Sequence, residues 1–132
     1  MKKLKKTVKS MVAEAKTKIS EINAKEAINL FKNDDVIFID IRDIRERQKL
    51  GFIPGSFHAP RGMLEFWVDP ESPYFKSIFD SDKKYVFHCA AGWRSALAVS
   101  TLKDMGFDAT HISDGFAGWL DEKGPVEFKN KK

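Results

Sequence analysis

Cys89 is the single cysteine of the chain, and it lies where an apolar, strand-like run meets a helical pattern. The run Tyr85-Val86-Phe87 precedes it, and apolar residues at helical spacing begin at Ala96. A turn between a strand and a helix points amide N–H groups and the positive end of the helix macrodipole at one place, and both stabilise an anion. Because the thiolate is the reactive form of cysteine, we predict that Cys89 is a nucleophile.

The residues after Cys89 are typical of a loop that holds an anion. They are Ala90, Ala91, Gly92, Trp93, Arg94 and Ser95. The small side chains let the backbone curl tightly, so that several N–H groups face the sulfur. Arg94 either pairs with an anionic substrate or braces the loop against a carboxylate. A cysteine that merely packs at the end of a strand needs neither feature, so we favour the catalytic interpretation.

Asp40 ends a second apolar run, Val36-Ile37-Phe38-Ile39. Functional loops gather at the carboxyl ends of the strands of an open parallel sheet, so we expect Asp40 to lie near Cys89. There it accepts hydrogen bonds from loop amides or from Arg94, or else it caps the helix that follows.

The three histidines are predicted to take no part in the chemistry. Adjacent strand residues point to opposite faces of a sheet, so His88 is not expected to reach the thiol of Cys89. His58 and His111 are isolated in the sequence, and we predict that they are packed or solvated. One cysteine and three scattered histidines give no metal-ligand pattern, so we predict neither a metal nor a cofactor.

Length and composition limit the class of protein. The chain has 132 residues, 42% of them hydrophobic and 32% charged, which suits one domain with an ordinary core. One cysteine allows no internal disulfide, so we predict a free thiol in a reducing compartment, the cytoplasm. No stretch reaches the roughly 20 apolar residues of a membrane span, and the lysine-rich start lacks the apolar segment of a secretory signal.

The net charge of +4 comes from the two ends of the chain. Lysines concentrate there at Lys2, Lys3, Lys5, Lys6, Lys9, Lys16, Lys18, Lys129, Lys131 and Lys132. The middle is not basic and shows no stripe of aromatic and basic residues, so we predict no binding to nucleic acid. The basic ends are compatible with binding to an acidic partner or to an anionic surface.

The elements that position these residues are predicted from periodicity and turn signals. Apolar residues at spacings of three and four predict an amphipathic helix from Leu4 to Lys18. This helix either packs on the domain, which we favour, or binds a membrane surface or a partner. Asn23 and Glu26 form a capping-box pattern for a second helix, which is expected to end at residues 33–35.

The apolar runs at residues 36–40 and 85–88 predict strands covered on both faces, which is typical of a parallel sheet. Ser72 and Pro73 predict the start of a short helix through residue 79. A helix after Cys89 is expected to end at Gly106, followed by a strand at 110–113 and a helix at 116–122. This alternation predicts an α/β fold, with a small, mainly parallel sheet flanked by helices on both faces and an extra N-terminal helix.

At these residues the chain resembles the rhodanese family of sulfurtransferases. The matching segments are Asp40-Ile41-Arg42 with Arg45-Glu46, Gly51-Phe52-Ile53-Pro54-Gly55-Ser56 with His58-Ala59-Pro60, His88 to Ser95, and Asp114-Gly115-Phe116 with Trp119. They follow the family's order over residues 20–123. The resemblance implies a rhodanese-like domain at 20–124, preceded by a lysine-rich helix at 1–19 and followed by a basic tail at 125–132.

The resemblance implies that Cys89 carries sulfur. Cys89 would attack a small donor, such as thiosulfate, a persulfide or a polysulfide, and hold the transferred sulfur as a persulfide. The amides from Ala90 to Arg94 would bind the anion, and Arg94 would assist donor binding or stiffen the loop. The residues that would support the site are Asp40, Arg42 and Ser95. Without a second cysteine the acceptor must be external, a small thiol or a protein.

The charge of the loop bears on the donor. Ala90 and Ala91 are uncharged at positions where some family members carry Lys or Arg. Thiosulfate is therefore expected to be a poorer donor than a persulfide or a polysulfide.

Two alternatives stay open. The related branch of phosphatases and arsenate reductases also uses a loop from His-Cys to Arg, but with seven residues that make room for a phosphate. From Cys89 through Arg94 this loop counts six residues. The other alternative is a non-catalytic rhodanese-like binding module, although such modules commonly lack the cysteine.

The chain departs from the family pattern in two places. Asp114-Gly115 stands where many members have Gly-Gly, and residues 61–84 form a longer, more aromatic segment than in minimal members. The candidates that this segment offers for the rim of the site are Arg61, Phe66 and Trp67. Trp93 either walls the pocket or packs over the start of the helix as hydrophobic cover.

Overall fold

A computed structural model describes residues 1–128 of the chain. Its centre is a five-stranded parallel sheet in the order β1-β5-β4-β2-β3. The strands are β1 Glu21–Ile22, β2 Val36–Asp40, β3 Phe57–His58, β4 Lys84–His88 and β5 Thr110–Ile112. The α-helices are α1 Val8–Lys18, α2 Ala24–Asn29, α3 Ile44–Leu50, α4 Leu64–Val68, α5 Trp93–Asp104 and α6 Gly115–Asp121. Short 3₁₀ helices lie at Arg61–Met63 and Ser77–Phe79.

The two central strands, β2 and β4, are buried on both faces, as their apolar runs predict. Ile39 and Phe87 pair across the strands and point into the hydrophobic cluster on one face of the sheet. The residues before them in sequence point into a second cluster on the other face. Asp40 and His88 end the two strands in register, so Cys89 emerges beside Asp40 at one edge of the sheet.

Helices cover both faces of this sheet. α4 and α5 pack on one face through residues such as Leu64 and Leu102. α2 and α6 pack on the other face, where Trp119 is completely buried. α1 lies outside α5, with Val12 packed near Ala96. The predicted α/β architecture, including the extra N-terminal helix, is confirmed.

Helix α1 begins at Val8 rather than at Leu4. The side chain of Thr7 accepts a hydrogen bond from the N–H of Ser10 at 3.1 Å, which makes Thr7 the N-cap. The side chain of Leu4 stays exposed. The helix packs on the domain, which is the favoured interpretation of its pattern. No helix within residues 1–128 is long and apolar enough to cross a membrane.

The capping box predicted at Asn23 and Glu26 is confirmed, with both reciprocal hydrogen bonds present. Helix α2 nevertheless ends before the predicted turn. The N–H of Leu30 bonds to the carbonyl of Ala27, three residues back, and this tighter 3₁₀ pattern ends the α-helix. Helix α5 ends as predicted, because Gly106 adopts φ +94° just after its C-cap.

The helix predicted from Ser72 is wrong. Ser72 accepts a hydrogen bond from the N–H of Tyr74, two residues on, which forms a turn instead of a helix N-terminus. The chain then folds back on α4, because the N–H of Lys76 bonds to the carbonyl of Trp67 at 2.9 Å. Only the 3₁₀ helix Ser77–Phe79 forms in this segment, whereas α4 was not predicted.

The last strand and the last helix lie within one residue of their predicted bounds. Beyond α6, Glu127 forms an antiparallel bridge with Phe52, so the chain returns to the loop that precedes β3. Of the predicted basic tail at 125–132, residues 129–132 lie outside the described part of the chain.

Candidate active site

Cys89 directly follows β4, and its sulfur lies inside the curl of the loop that leads to α5. The N–H of Gly92 donates a hydrogen bond to Sγ at 3.1 Å, and the N–H of Ser95 donates one at 3.4 Å. Gly92 adopts φ +96°, and a Cβ at this position would collide with the backbone carbonyl of Ser113. The curl that aims these N–H groups at the sulfur therefore requires glycine.

The loop ends in the N-terminus of α5. The N–H of Ala96 bonds to the carbonyl of Gly92 at 3.2 Å, so the N–H groups of Trp93 and Arg94 precede the first helical hydrogen bond. Such N–H groups and the positive end of the macrodipole favour a negative charge. The loop thus has the geometry of an anion cradle around the sulfur of Cys89.

Helix α6 holds the other side of the loop. The N–H groups of Phe116 and Ala117 donate to the carbonyls of Cys89 and Ala90, at 2.8 and 3.0 Å. Gly115 adopts φ +63°, and a Cβ on it would collide with the Ala90 carbonyl. A side chain at this position would therefore push α6 away from the loop.

Asp114, which stands where many family members have glycine, ties the site to α2. Its Oδ1 accepts a hydrogen bond from the N–H of Ala24 at 2.8 Å. Its carboxyl group also occupies the space into which a Cβ at Gly118 would project. Asp114, in place of a glycine, therefore links the start of α2 to the start of α6.

The cradle lowers the pKa of Cys89. Burial raises the pKa of this thiol, but hydrogen bonds from the hydroxyl and N–H of Ser95 and from the N–H groups of Gly92 and Ala91 outweigh it. Cys89 is only 1% exposed. The thiolate is therefore stabilised by fixed hydrogen bonds rather than by bulk water.

Arg94 braces the loop against a carboxylate, which is one of its two predicted roles. Its Nη1 and Nη2 donate to the two carboxylate oxygens of Glu46, at 2.8 and 3.0 Å. This hydrogen-bonded pair raises the pKa of Arg94, and the charge of Cys89 acts in the same direction. Glu46 was not predicted as a site residue, although it lies in one of the family segments.

The expectation that Asp40 binds the loop or Arg94 is wrong. Asp40 is fully buried and accepts hydrogen bonds from Arg42 at 3.0 and 2.8 Å and from Arg47 at 3.0 Å. It does not cap the next helix either, because Asp43 is the N-cap of α3. Burial raises the pKa of Asp40, but the Arg42 guanidinium outweighs this effect and holds the pKa well below its ordinary value.

Arg42 and His88 both pack against Phe116 at the start of α6. The buried Arg42 donates to the carbonyl of Gly51 at 2.8 Å, and its guanidinium lies 4.2 Å from the ring centre of Phe116. His88 stacks on the same ring, and its Nδ1 lies 3.3 Å from the carbonyl oxygen of Cys89. Burial lowers the pKa of His88 to about 4, so the imidazole is neutral near pH 7. Its ring packs on the opposite side of the sheet from the Cys89 sulfur, as predicted.

His111 is the residue near the sulfur that sequence patterns did not reveal. Its Nδ1 lies 2.7 Å from Oγ of Ser95, and this Oγ lies 3.5 Å from Sγ of Cys89. Its Nε2 lies 2.7 Å from the carboxylate of Glu21, its register partner on β1. The pairing of β1 with β5 brings these groups together, and a strand of two residues gives no periodic signal.

The predicted rim residues make their polar and aromatic contacts with residues outside the loop. Within residues 1–128, no hydrogen bond, ion pair or aromatic contact joins Arg61, Phe66 or Trp67 to the residues from Cys89 to Ser95. Their role at the rim stays a prediction. Trp93 is 48% exposed at the first position of α5, so it does not serve as buried cover.

The arrangement suits nucleophilic chemistry by sulfur. Cys89 is a free thiol surrounded by hydrogen-bond donors. No group of three or more His, Cys, Asp or Glu side chains in the described part of the chain could hold a metal ion. A thiolate in such a cradle can attack an electrophilic atom of an anionic substrate and hold the resulting anion.

Comparison with known proteins relates the chain to sulfurtransferases. It is 30% identical to the putative sulfurtransferase YtwF of Bacillus subtilis, over 81% of this chain and 93% of YtwF. A solved structure from Rhodopseudomonas palustris, of unknown function and possibly a tyrosine phosphatase by its description, is 49% identical with a TM-score of 0.93. That similarity covers 96% of this chain and 98% of the other. The polysulfide-sulfur transferase homodimer of Wolinella succinogenes is 30% identical, with a TM-score of 0.67 over 92% of this chain and 88% of the other.

The family match covers the cysteine loop and the elements that support it. The rhodanese-like domain family matches residues 23–122, which include the loop from Cys89, its brace at Glu46 and its support in α6. The site geometry and this match agree, and the chain belongs to the rhodanese-like domain family.

Proposed function

We propose that this protein is a sulfurtransferase that carries sulfane sulfur on Cys89 from a small donor to an external acceptor. The observation that carries the proposal is the hydrogen bonding of the sulfur. Sγ of Cys89, at the start of a six-residue loop, accepts hydrogen bonds from the N–H groups of Gly92 and Ser95. These bonds favour the thiolate, which is the form that attacks sulfur. The names of several relatives support the same chemistry.

In the first half-reaction, the Cys89 thiolate attacks the outer sulfur of the donor. A new S–S bond forms to Sγ, the S–S bond of the donor breaks, and the leaving group keeps the electron pair as sulfite or as a thiolate. The product is a persulfide whose terminal sulfur is anionic. The N–H groups of Trp93 and Arg94 at the start of α5 are the donors that would hold this charge.

In the second half-reaction, an acceptor thiolate attacks the outer sulfur of the persulfide, and Cys89 leaves as a thiolate. A thiol with a lowered pKa is a better leaving group, so the cradle assists this step as well. With one cysteine in the chain, the acceptor is a small thiol or a protein thiol from outside. The cycle requires a reduced thiol, which suits the cytoplasm.

The charge of the loop supports a persulfide or a polysulfide as the donor. Ala90 and Ala91 carry no charge, and the guanidinium of Arg94 is occupied by two hydrogen bonds to Glu46. The dianion thiosulfate would gain little from such a loop. The similarity to the polysulfide-sulfur transferase of Wolinella succinogenes points the same way.

A phosphatase is the second candidate, because the similar Rhodopseudomonas palustris protein is described as a possible tyrosine phosphatase. A phosphate ester would need the loop amides and a free arginine around the phosphoryl group. Here Arg94 is paired with Glu46, and the segment from Cys89 to Arg94 is one residue shorter than in the phosphatase branch. Both facts favour sulfur transfer.

A turnover assay with cyanide as the acceptor tests the proposal. The purified protein should form thiocyanate from glutathione persulfide with a higher kcat/KM than from thiosulfate, and Cys89→Ser should form none above background. Hydrolysis of an aryl phosphate without thiocyanate formation would instead support the phosphatase. The absence of both activities in a folded protein would support a binding module.

A further inference from the structure

A line of hydrogen bonds leads from the sulfur of Cys89 to the surface beside α1. Sγ lies 3.5 Å from Oγ of Ser95, which lies 2.7 Å from Nδ1 of His111. Nε2 of His111 lies 2.7 Å from Oε2 of Glu21, and the same oxygen lies 2.6 Å from Nζ of Lys16. Ser95 and His111 are fully buried, whereas the side chains of Glu21 and Lys16 are 28% and 34% exposed.

Two of these residues lie outside the family domain. The rhodanese-like match begins at residue 23, whereas Lys16 belongs to α1 and Glu21 to β1. The register of β1 with β5 places Glu21 opposite His111. The segment before the domain therefore reaches the reactive sulfur through two buried side chains.

The positions of the protons along this line follow from its acidic end. Burial raises the pKa of Glu21, but hydrogen bonds from Lys16 and His111 outweigh it and keep the carboxylate ionised. A carboxylate only accepts hydrogen bonds, so Nε2 of neutral His111 carries the proton and Nδ1 is bare. The unprotonated Nδ1 accepts a hydrogen bond from the O–H of Ser95. The oxygen of Ser95 in turn accepts a hydrogen bond from the S–H of Cys89.

We propose that Ser95, His111 and Glu21 form a relay that takes the proton of the Cys89 thiol. The S–H bond breaks as its proton passes to Oγ of Ser95, while the hydroxyl proton of Ser95 passes to Nδ1 of His111. The products are a thiolate and an imidazolium, and the imidazolium donates to Glu21 through Nε2 and to Ser95 through Nδ1. The Ser95 hydroxyl then donates to the thiolate, so His111 is a positioning residue that acts through Ser95.

The charges around His111 decide how far the proton moves. The pKa of His111 lies below its ordinary value, because burial and the ammonium of Lys16 on α1 lower it by more than the carboxylate of Glu21 on β1 raises it. Two further groups lie along the line of hydrogen bonds to His111. They are the thiol of Cys89, at the end of β4, and the neutral hydroxyl of Ser95 on α5. Glu21 therefore favours the thiolate–imidazolium pair, and Lys16 opposes it.

The relay predicts a distinctive pH profile for the alkylation of Cys89 by iodoacetamide. The thiolate–imidazolium pair and the thiol–imidazole pair hold the same number of protons, so their ratio does not change between the two pKa values. The alkylation rate of the wild type should therefore rise in two steps with a shoulder between them. His111→Gln, which cannot take the proton, should give one step and react about tenfold more slowly near pH 6.

Substitutions at two partly exposed residues keep the test independent of the packing around His111. Glu21→Gln should slow alkylation near pH 6, and Lys16→Gln should accelerate it. Glu14→Gln on α1 is the matched control, because Glu14 pairs with Lys6 and Lys18 and not with the relay. A single-step profile in the wild type, or equal effects of Glu21→Gln and Lys16→Gln, would overturn the relay.

The function of the relay rests on the proposed sulfur transfer, because that reaction starts from the thiolate. The alkylation test is independent of sulfur transfer, since iodoacetamide reacts with Cys89 without a sulfur donor. Each purified variant is therefore alkylated across the pH range, and a second sample is treated with glutathione persulfide and weighed by mass spectrometry. A two-step profile without a persulfide supports the relay and contradicts sulfur transfer by Cys89. A persulfide on Cys89 together with a single-step profile supports sulfur transfer and contradicts the relay.

Discussion

Arg94 and Glu46 form a two-point ion pair, with N–O distances of 2.8 and 3.0 Å, that fastens the cysteine loop to α3. Oε1 of Glu46 also accepts the N–H of Asp43 at 3.0 Å and so completes the capping box of α3. One carboxylate therefore fixes both the start of α3 and the end of the loop. Arg94 is therefore fixed by a carboxylate of α3, which holds the end of the loop in place.

Loss of this brace should slow sulfur loading on Cys89. We expect Glu46→Gln and Arg94→Gln each to slow persulfide formation about tenfold, because the amides of the loop lose their fixed position. The double variant should be no slower than either single variant, since the same contact is lost. The measurement is the rate of mass gain after addition of a persulfide donor.

Glu26→Gln is the matched control for the brace, because Glu26 forms the same capping box on α2 without a loop contact. It should load sulfur at the wild-type rate. The Arg94–Glu46 pair is partly exposed, so its loss should cost at most about 1 kcal/mol of stability. Additive losses of rate in the double variant would show that Arg94 binds the donor separately from Glu46.

Gly92→Ala should slow the reaction of Cys89, because its Cβ would collide with the Ser113 carbonyl and displace the N–H that donates to the sulfur. Gly106→Ala is the control. Gly106 has nearly the same φ, +94° against +96°, but open space around it. Both variants should lose about 1 kcal/mol to left-handed strain, and Gly92→Ala should lose more because of the collision with Ser113. Only Gly92→Ala should react slowly with iodoacetamide. Equal reactivity of the two variants would contradict the role of Gly92.

His88 should make the protein less stable in mild acid. Burial lowers the pKa of His88 to about 4, so below about pH 6.5 the unfolded chain binds a proton that the folded protein does not. Stability is lost as the pH falls from about 6.5 to about 4, and the loss at pH 5 is about 2 kcal/mol. Urea denaturation at pH 7.5 and pH 5 should show a smaller loss in His88→Gln. An equal loss in both proteins would assign the acid sensitivity to other groups.

The loop and its flanking elements could be predicted from the sequence because their signals are local. An apolar run marks β4, and the segment from Cys89 to Arg94 combines small residues with an arginine at a helix start. The capping box at Asn23 is likewise contained within four residues. Local signals misled at Ser72, where contacts with α4 fold the chain into a turn, and they extended α1 and α2 beyond their observed ends.

The contacts that tune the loop could not be predicted, because they join distant segments. Arg94 meets Glu46 across 48 positions, and His111 meets Glu21 across 90. The first contact depends on the position of α3 relative to the start of α5, and the second on the register of a two-residue strand. Asp40 was misplaced only partly for this reason. Arg47 on α3 is brought to it by tertiary packing, but Arg42, its other partner, lies two residues away in sequence.

The intact mass of the protein after treatment with glutathione persulfide tests the central claim most directly. We predict a gain of about 32 Da on the wild type, located on Cys89 and reversed by cyanide, and no gain on Cys89→Ser. An unchanged wild-type mass, in protein whose Cys89 still reacts with iodoacetamide, would contradict the assignment of Cys89 as a sulfur carrier.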